Sequence, residues 1–125
     1  MGLFSKSPKP EALPWVEITS TNQLNDLLHN IDVKPVLLFK HSTRCSISSM
    51  ALNAFERNWT SGKDICDIYF IDLLKHRDVS NLTAELTGVE HQSPQAIVIK
   101  GKEIVYEASH SGIDARRIES ILSKV

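Results

Sequence analysis

The run Lys34-Pro35-Val36-Leu37-Leu38-Phe39-Lys40 constrains the fold more than any other stretch of this chain. A short unbroken apolar run with proline at its mouth reads as an inner strand, because a half-exposed strand would alternate. Directly after it comes His41-Ser42-Thr43-Arg44-Cys45-Ser46-Ile47-Ser48-Ser49-Met50, within which helical spacing begins. A cysteine at such a strand-to-helix junction lies beside unpaired backbone N–H groups and the positive end of a helix dipole, both of which favour thiolate. Only the thiolate is a competent nucleophile, so Cys45 is the candidate reactive residue.

The flanking sequence supplies the other elements. Trp15-Val16-Glu17-Ile18 alternates as a short strand does, and Ser20 or Thr21 then caps a helix with Leu24, Leu27, Leu28 and Ile31 on one face. The second helix is expected from about Cys45 to Trp59, with Ile47, Met50, Ala51, Ala54 and Phe55 as its buried stripe and Ser61-Gly62 as its stop. The β-branched and aromatic density of Asp64 to Asp72 predicts a strand. Asp78 or Ser80 caps a third helix through Leu82 and Leu86, closed by Gly88. Gly101-Lys102 separates Ala96-Ile97-Val98-Ile99 from Ile104-Val105-Tyr106, the spacing of a β-hairpin. Asp114 caps a last helix carrying Ala115, Ile118, Ile121 and Leu122. The order is β-α-β-α-β-α-β-β-α, an α/β chain whose mixed central sheet lies between two helical layers. One domain over residues 14–125 is expected, after a loose leader over residues 1–13 rich in serine and proline.

At 125 residues the chain can bury a core without disulfide staples, which leaves its two cysteines for chemistry. A net charge of −1 gives no bulk-electrostatic case for nucleic acid. Met1 to Pro10 lacks the apolar core of a signal peptide, and no run is long enough to span a bilayer, so a cytoplasmic, reducing compartment is expected, with no membrane partner. Two cysteines there are not a disulfide framework. Nor do they predict a metal site: Cys45 and Cys66 lack ligand spacing, and His29, His41, His76, His91 and His110 are scattered singly.

The element order, the junction cysteine and the Ser93-Pro94 step before the hairpin together resemble the thioredoxin fold. That resemblance implies a cis peptide at Pro94, with the proline against Cys45 and the Ser93 backbone free to pair with an extended substrate. Taken closer, His41 through Ser48 together with His91-Gln92-Ser93-Pro94-Gln95 is similar to the YtxJ-type monothiol bacilliredoxins, whose signature is Thr-Cys-Pro-Ile-Ser or a close variant. The similarity spans about Trp15 to the end, with Ser46 standing where the family often has proline. It implies removal of bacillithiol, a cysteinyl-glucosaminyl-malate thiol, from mixed disulfides with client proteins. Bacillithiol is then a co-substrate and no cofactor is held.

Thiol–disulfide exchange needs a thiolate in line with a disulfide sulfur. A Cys-x-x-Cys pair would resolve the mixed disulfide internally, but position 48 is serine, so a monothiol cycle cleared by a second low-molecular-weight thiol or a reductase is expected. Ser48 lies on the Cys45 face of the helix, within reach of donating to the sulfur. Thr43, Arg44, Ser48, Ser93 and Pro94 are the candidate substrate-binding residues, and Arg44 suits both thiolate and the malate carboxylates. A free cysteine is commonly a buried filler, but Ser42, Thr43, Arg44, Ser46, Ser48 and Ser49 make that setting polar. Cys66 reads as a packed strand residue, since some 14 residues of helix carry the chain about 20 Å away. Lys40 would emerge at the strand end, at most one of Lys40 and His41 faces the thiol, and a loop residue such as His91 is commonly solvated. The competing functions are a glutathione-linked monothiol glutaredoxin, whose Cys-Gly-Phe-Ser motif is absent, a non-catalytic peptide-binding adaptor of thioredoxin fold, and a thiol sensor.

Overall fold

The computed structural model describes residues 13–31, 34–61 and 65–123. The expected leader lies outside the described residues except for Leu13, which packs on the core. Five strands and four helices follow in the expected order: β1 (Val16–Glu17), α1 (Thr21–His29), β2 (Val36–His41), α2 (Ser46–Asn58), β3 (Asp67–Asp72), α3 (Arg77–Thr87), β4 (Gln95–Lys100), β5 (Glu103–Ser109) and α4 (Ala115–Ser123). A 3₁₀ turn, His110–Gly112, joins β5 to α4.

The strands form one sheet in the order β1-β3-β2-β4-β5. β2 is central, parallel to β3 and antiparallel to β4, and β4–β5 is the hairpin, turned at Gly101 with a positive φ of 64°. All six residues of β2 are buried, which is why the run carries no alternation in hydropathy. Its side chains still alternate in space. Leu37 and Phe39 enter a core with Phe55 and Trp59 near or in α2 and Ile118 and Leu122 of α4. Val36 and Leu38 enter a second core with Leu24 of α1 and Val79 of α3. Two helices therefore cover each face, and the sheet is the middle of three layers.

Several local expectations are corrected. Phe55 is buried as expected, but the inward stripe of α2 reaches it through Ser48 and Leu52 and ends on Trp59, whereas Ile47 is 56% and Met50 70% exposed. Both sets satisfy helical spacing. Packing against Phe39 and Trp15 decides between them, through ring contacts of Phe55 at 5.5 and 5.6 Å. Helix α3 begins at Arg77, ahead of the expected caps: His76 is its N-cap without a side-chain bond, and Asp78 Oδ1 accepts the next residue's N–H at 2.8 Å. Of the strand expected from Asp64, that residue lies outside the described ones, Ile65 and Cys66 are not strand pairs, and pairing with β2 starts at Asp67. Ser20 does cap α1, accepting the Gln23 N–H at 3.1 Å, and Gly88 closes α3 in the left-handed region.

Candidate active site

Three connections meet at one end of the sheet: the turn from β2 into α2, the turn from β3 into α3, and the loop that leads into β4. Register fixes this, because His41 pairs with Asp72 and Lys40 with Gln95. After His41 the chain makes a tight turn in which Cys45 donates its N–H to the Ser42 carbonyl at 3.2 Å. Cys45 is the N-cap of α2, with extended backbone (φ −109°, ψ 120°), and its carbonyl accepts the Ser49 N–H at 3.0 Å. The cysteine is free and half-buried, and it makes no side-chain capping bond, so its sulfur is not engaged in holding the helix. Thr43, Arg44 and Ser46 around it are exposed.

Ser48 sits differently from the sequence expectation. It is fully buried, its Oγ accepts the Ser42 N–H at 3.0 Å, and the same oxygen lies 2.7 Å from His41 Nδ1. A side chain with no accessible surface cannot touch an incoming substrate. Its hydroxyl instead ties the first turn of α2 to the end of β2 and so positions Cys45 from behind. His41 shares that buried corner with the ring of Phe70, 5.5 Å away. Burial lowers the His41 pKa, with Asp72, Ser48 and Glu56 acting in the opposite sense.

The loop entering β4 carries the Ser93–Pro94 bond, which is cis as the resemblance implied. Pro94 is buried and its carbonyl accepts the His110 N–H at 3.0 Å. The loop is braced by the buried Gln95 amide, which donates to the Glu90 carbonyl at 2.9 Å and accepts the Gln92 N–H at 3.4 Å. Among the described residues Ser93 Oγ has no hydrogen-bond partner although the atom is buried. An orphaned buried hydroxyl costs about 1–3 kcal/mol of desolvation.

Lys40 does not emerge at the strand end. It is fully buried on the opposite side of β2 from His41, and its Nζ donates to His91 Nδ1 at 3.1 Å, with Ser80 Oγ 3.3 Å from the same nitrogen. Desolvation lowers the Lys40 pKa from 10.5 to about 8. His91 is exposed, as expected of a loop residue, but its ring is held. Neither this group nor the His41–Ser48 pair was read from sequence as a unit. A lysine inside an apolar run is the signal that could have found the first.

The buried lysine sets a pH dependence. A lysine whose pKa is depressed on folding opposes folding while protonated, and stability rises between about pH 8 and 10.5 because there the unfolded chain binds the extra proton. Lys40→Met is expected to stabilise the protein at neutral pH and to flatten that rise. Urea unfolding on either side of the window measures both effects, and a less stable variant would refute the cost assigned to the ammonium.

Cys66 lies at the other end of the sheet, immediately before Asp67, which pairs with Val36 at the start of β2. It is fully buried in the core, and burial, with Asp67 adding to it and Lys34 opposing, pushes its pKa up to about 12. The packed-residue reading holds for it. Among the described residues no three His, Cys, Asp or Glu side chains converge as a metal site would need.

Comparison with known proteins bears on the family and the fold. The family model of the monothiol bacilliredoxin BrxC matches residues 16–118. A solved thioredoxin-fold protein described as a candidate oxidoreductase is 27% identical, with a TM-score of 0.71 over 85% of this chain and 91% of that one. Thioredoxin of Schistosoma mansoni (21% identity, TM-score 0.63, 88% and 94% covered) and thioredoxin O2 of Arabidopsis thaliana (18%, 0.65, 89% and 93%) share the fold.

Proposed function

Because this chain belongs to the monothiol bacilliredoxin family, within the thiol–disulfide oxidoreductases of thioredoxin fold, we propose that its reaction is the removal of bacillithiol from protein mixed disulfides through Cys45. The observation that carries the reading is a single half-buried thiol at the N-cap of α2 with a buried serine, not a second thiol, at position 48. The Cys45 thiolate attacks the bacillithiol sulfur of the mixed disulfide. A Cys45–bacillithiol disulfide forms, and the client leaves as a thiolate that takes a proton from water. Ser48 cannot expel the adduct. A second low-molecular-weight thiol or a reductase therefore attacks it, returning Cys45 as thiolate.

Arg44, exposed and directly before Cys45 in the chain, offers a guanidinium to an acidic thiol, and exposed Thr43 precedes it. The Ser93 backbone pairs with the client's extended segment, Pro94 forms the facing wall, and the orphaned Ser93 hydroxyl donates to the bound substrate. Bacillithiol is a co-substrate and no resident cofactor is needed. No described helix is long and apolar enough to cross a membrane. The reading places the protein in the reducing cytoplasm.

The deciding experiment follows release of bacillithiol and of glutathione from one client protein loaded with each. Faster release of bacillithiol, over many equivalents, is expected. Preference for glutathione would make this a glutaredoxin-like activity, a single turnover would make it a sensor, and no release would leave an adaptor. Ser93→Ala separates a substrate-facing hydroxyl from a structural one. Removing an orphan relieves the folded state, so the melting temperature should hold or rise while exchange slows by about two- to tenfold, the worth of one hydrogen bond. A lower melting temperature with unchanged exchange would refute the assignment.

A further inference from the structure

The exchange step uses the α2 side of the sheet end and leaves the α3 side unexplained. There Lys40 Nζ meets His91 Nδ1 at 3.1 Å, the charge of Arg77 acts on the same ring, and among the described residues none of the three is in an ion pair. The His91 pKa is lowered by burial and then by Lys40 and Arg77, the two charges that act on it, both cationic. A ring nitrogen that accepts from an ammonium carries no proton, so neutral His91 holds its hydrogen on Nε2. With Nδ1 held against buried Lys40, the exposed His91 is left with its Nε2–H to offer a ligand.

Arg77 is the exposed first residue of α3, whose N-cap His76 offers no side-chain bond. Two of the local acids are otherwise placed. Asp78 accepts a backbone N–H, and the Glu17 carboxylate lies 3.9 Å from His76 Nε2. Glu90 precedes His91 and is exposed; Gln95 holds only its backbone carbonyl, and its carboxylate is in no ion pair among the described residues. A buried ammonium without a carboxylate, behind a fixed N–H donor and beside an arginine, is half of a carboxylate site.

We propose that His91 and Arg77, backed by Lys40, form a carboxylate subsite that receives the malate end of bacillithiol while its sulfur is at Cys45. This rests on the bacillithiol reading. It adds a specificity determinant on the opposite side of β2 from His41 and Ser48, at the loop that also carries Ser93. Lys40 is a positioning residue that acts through the His91 ring. Acidic side chains of a client could supply the same carboxylate chemistry, and the test separates the two sources.

The test has a binding arm and a kinetic arm. Free L-malate titrated against the whole protein should raise the His91 imidazole titration midpoint followed by NMR, and Arg77→Gln should blunt that shift. In kinetics, one client carries either bacillithiol or its cysteinyl-glucosamine analogue lacking malate. Arg77→Gln should lower kcat/KM for the bacillithiol form by about tenfold, mainly through KM, the worth of one charge-assisted contact, and leave the malate-free form unchanged.

Equal losses on both forms, or a His91 signal indifferent to malate, would overturn the subsite. So would a loss that vanishes when the client's flanking acids are neutralised, which would assign the carboxylate to the client. If the parent releases no bacillithiol at all, the functional reading fails, while the malate titration still decides whether the subsite exists.

Discussion

Cys45→Ser is expected to bring release of bacillithiol to the uncatalysed rate, a loss of at least about 10³-fold, while Cys66→Ala leaves turnover unchanged. The asymmetry follows from where the two thiols stand. Cys45 is half-buried at the N-cap of α2, its sulfur outside the hydrogen bonds that hold the turn. Cys66 is fully buried at the far end of the sheet, and with a pKa near 12 it is a neutral thiol throughout the physiological range. A serine hydroxyl in place of Cys45 is neither ionised at neutral pH nor able to form a disulfide. Mass spectrometry of the protein incubated with a bacillithiolated client reads the same distinction, an adduct on Cys45 and none on Cys66. Turnover by Cys45→Ser, or an adduct on Cys66 alone, would reverse the assignment.

Phe39→Ala is expected to cost about 3–5 kcal/mol, the range for truncating a buried aromatic. For a domain of this size that lowers the melting temperature by about 10–20 °C. Phe39 is fully buried in the central strand, with Trp15 at 5.7 Å and Phe55 at 5.5 Å, ring centroid to centroid. Trp15 also reaches Phe55 and Phe70, and its indole N–H donates to Glu56 at 2.8 Å, so one ring cluster joins the segment leading into β1 to β2, β3 and α2. Removing its central member leaves a cavity beneath the helix that carries Cys45. Ile104→Ala on the partly exposed edge strand is the control, expected within about 0.5 kcal/mol of the parent. Calorimetry on both variants tests this, and a Phe39→Ala loss under about 1 kcal/mol would mean that the cluster does not anchor α2.

Much of the architecture was legible because it rests on local and periodic signals. The apolar run of β2, the Gly101-Lys102 turn, the Ser20 cap and the Gly88 stop each state a backbone preference within a few residues. The junction that puts Cys45 at the head of α2 was legible for the same reason. The inward face of α2 was not. Phe55 was expected inside and is buried, but Ile47 and Met50 have the right spacing and the right chemistry for a core as well, and only the partners available across the layer turned Ser48 and Leu52 inward in their place.

The sequence by itself determined the three-layer α/β order, the place of Cys45 at the strand-to-helix junction and the lack of a second thiol at position 48, since each is a matter of residue type and near-neighbour spacing. Only the tertiary structure decided what stands around that position. Ser48 and His41 are seven positions apart and Lys40 and His91 fifty-one, and each pair is joined by a hydrogen bond that exists only once the sheet brings its ends together. Spacing cannot announce such pairs, because burial makes them: away from water a hydroxyl, an imidazole and an ammonium must take the partner the fold provides.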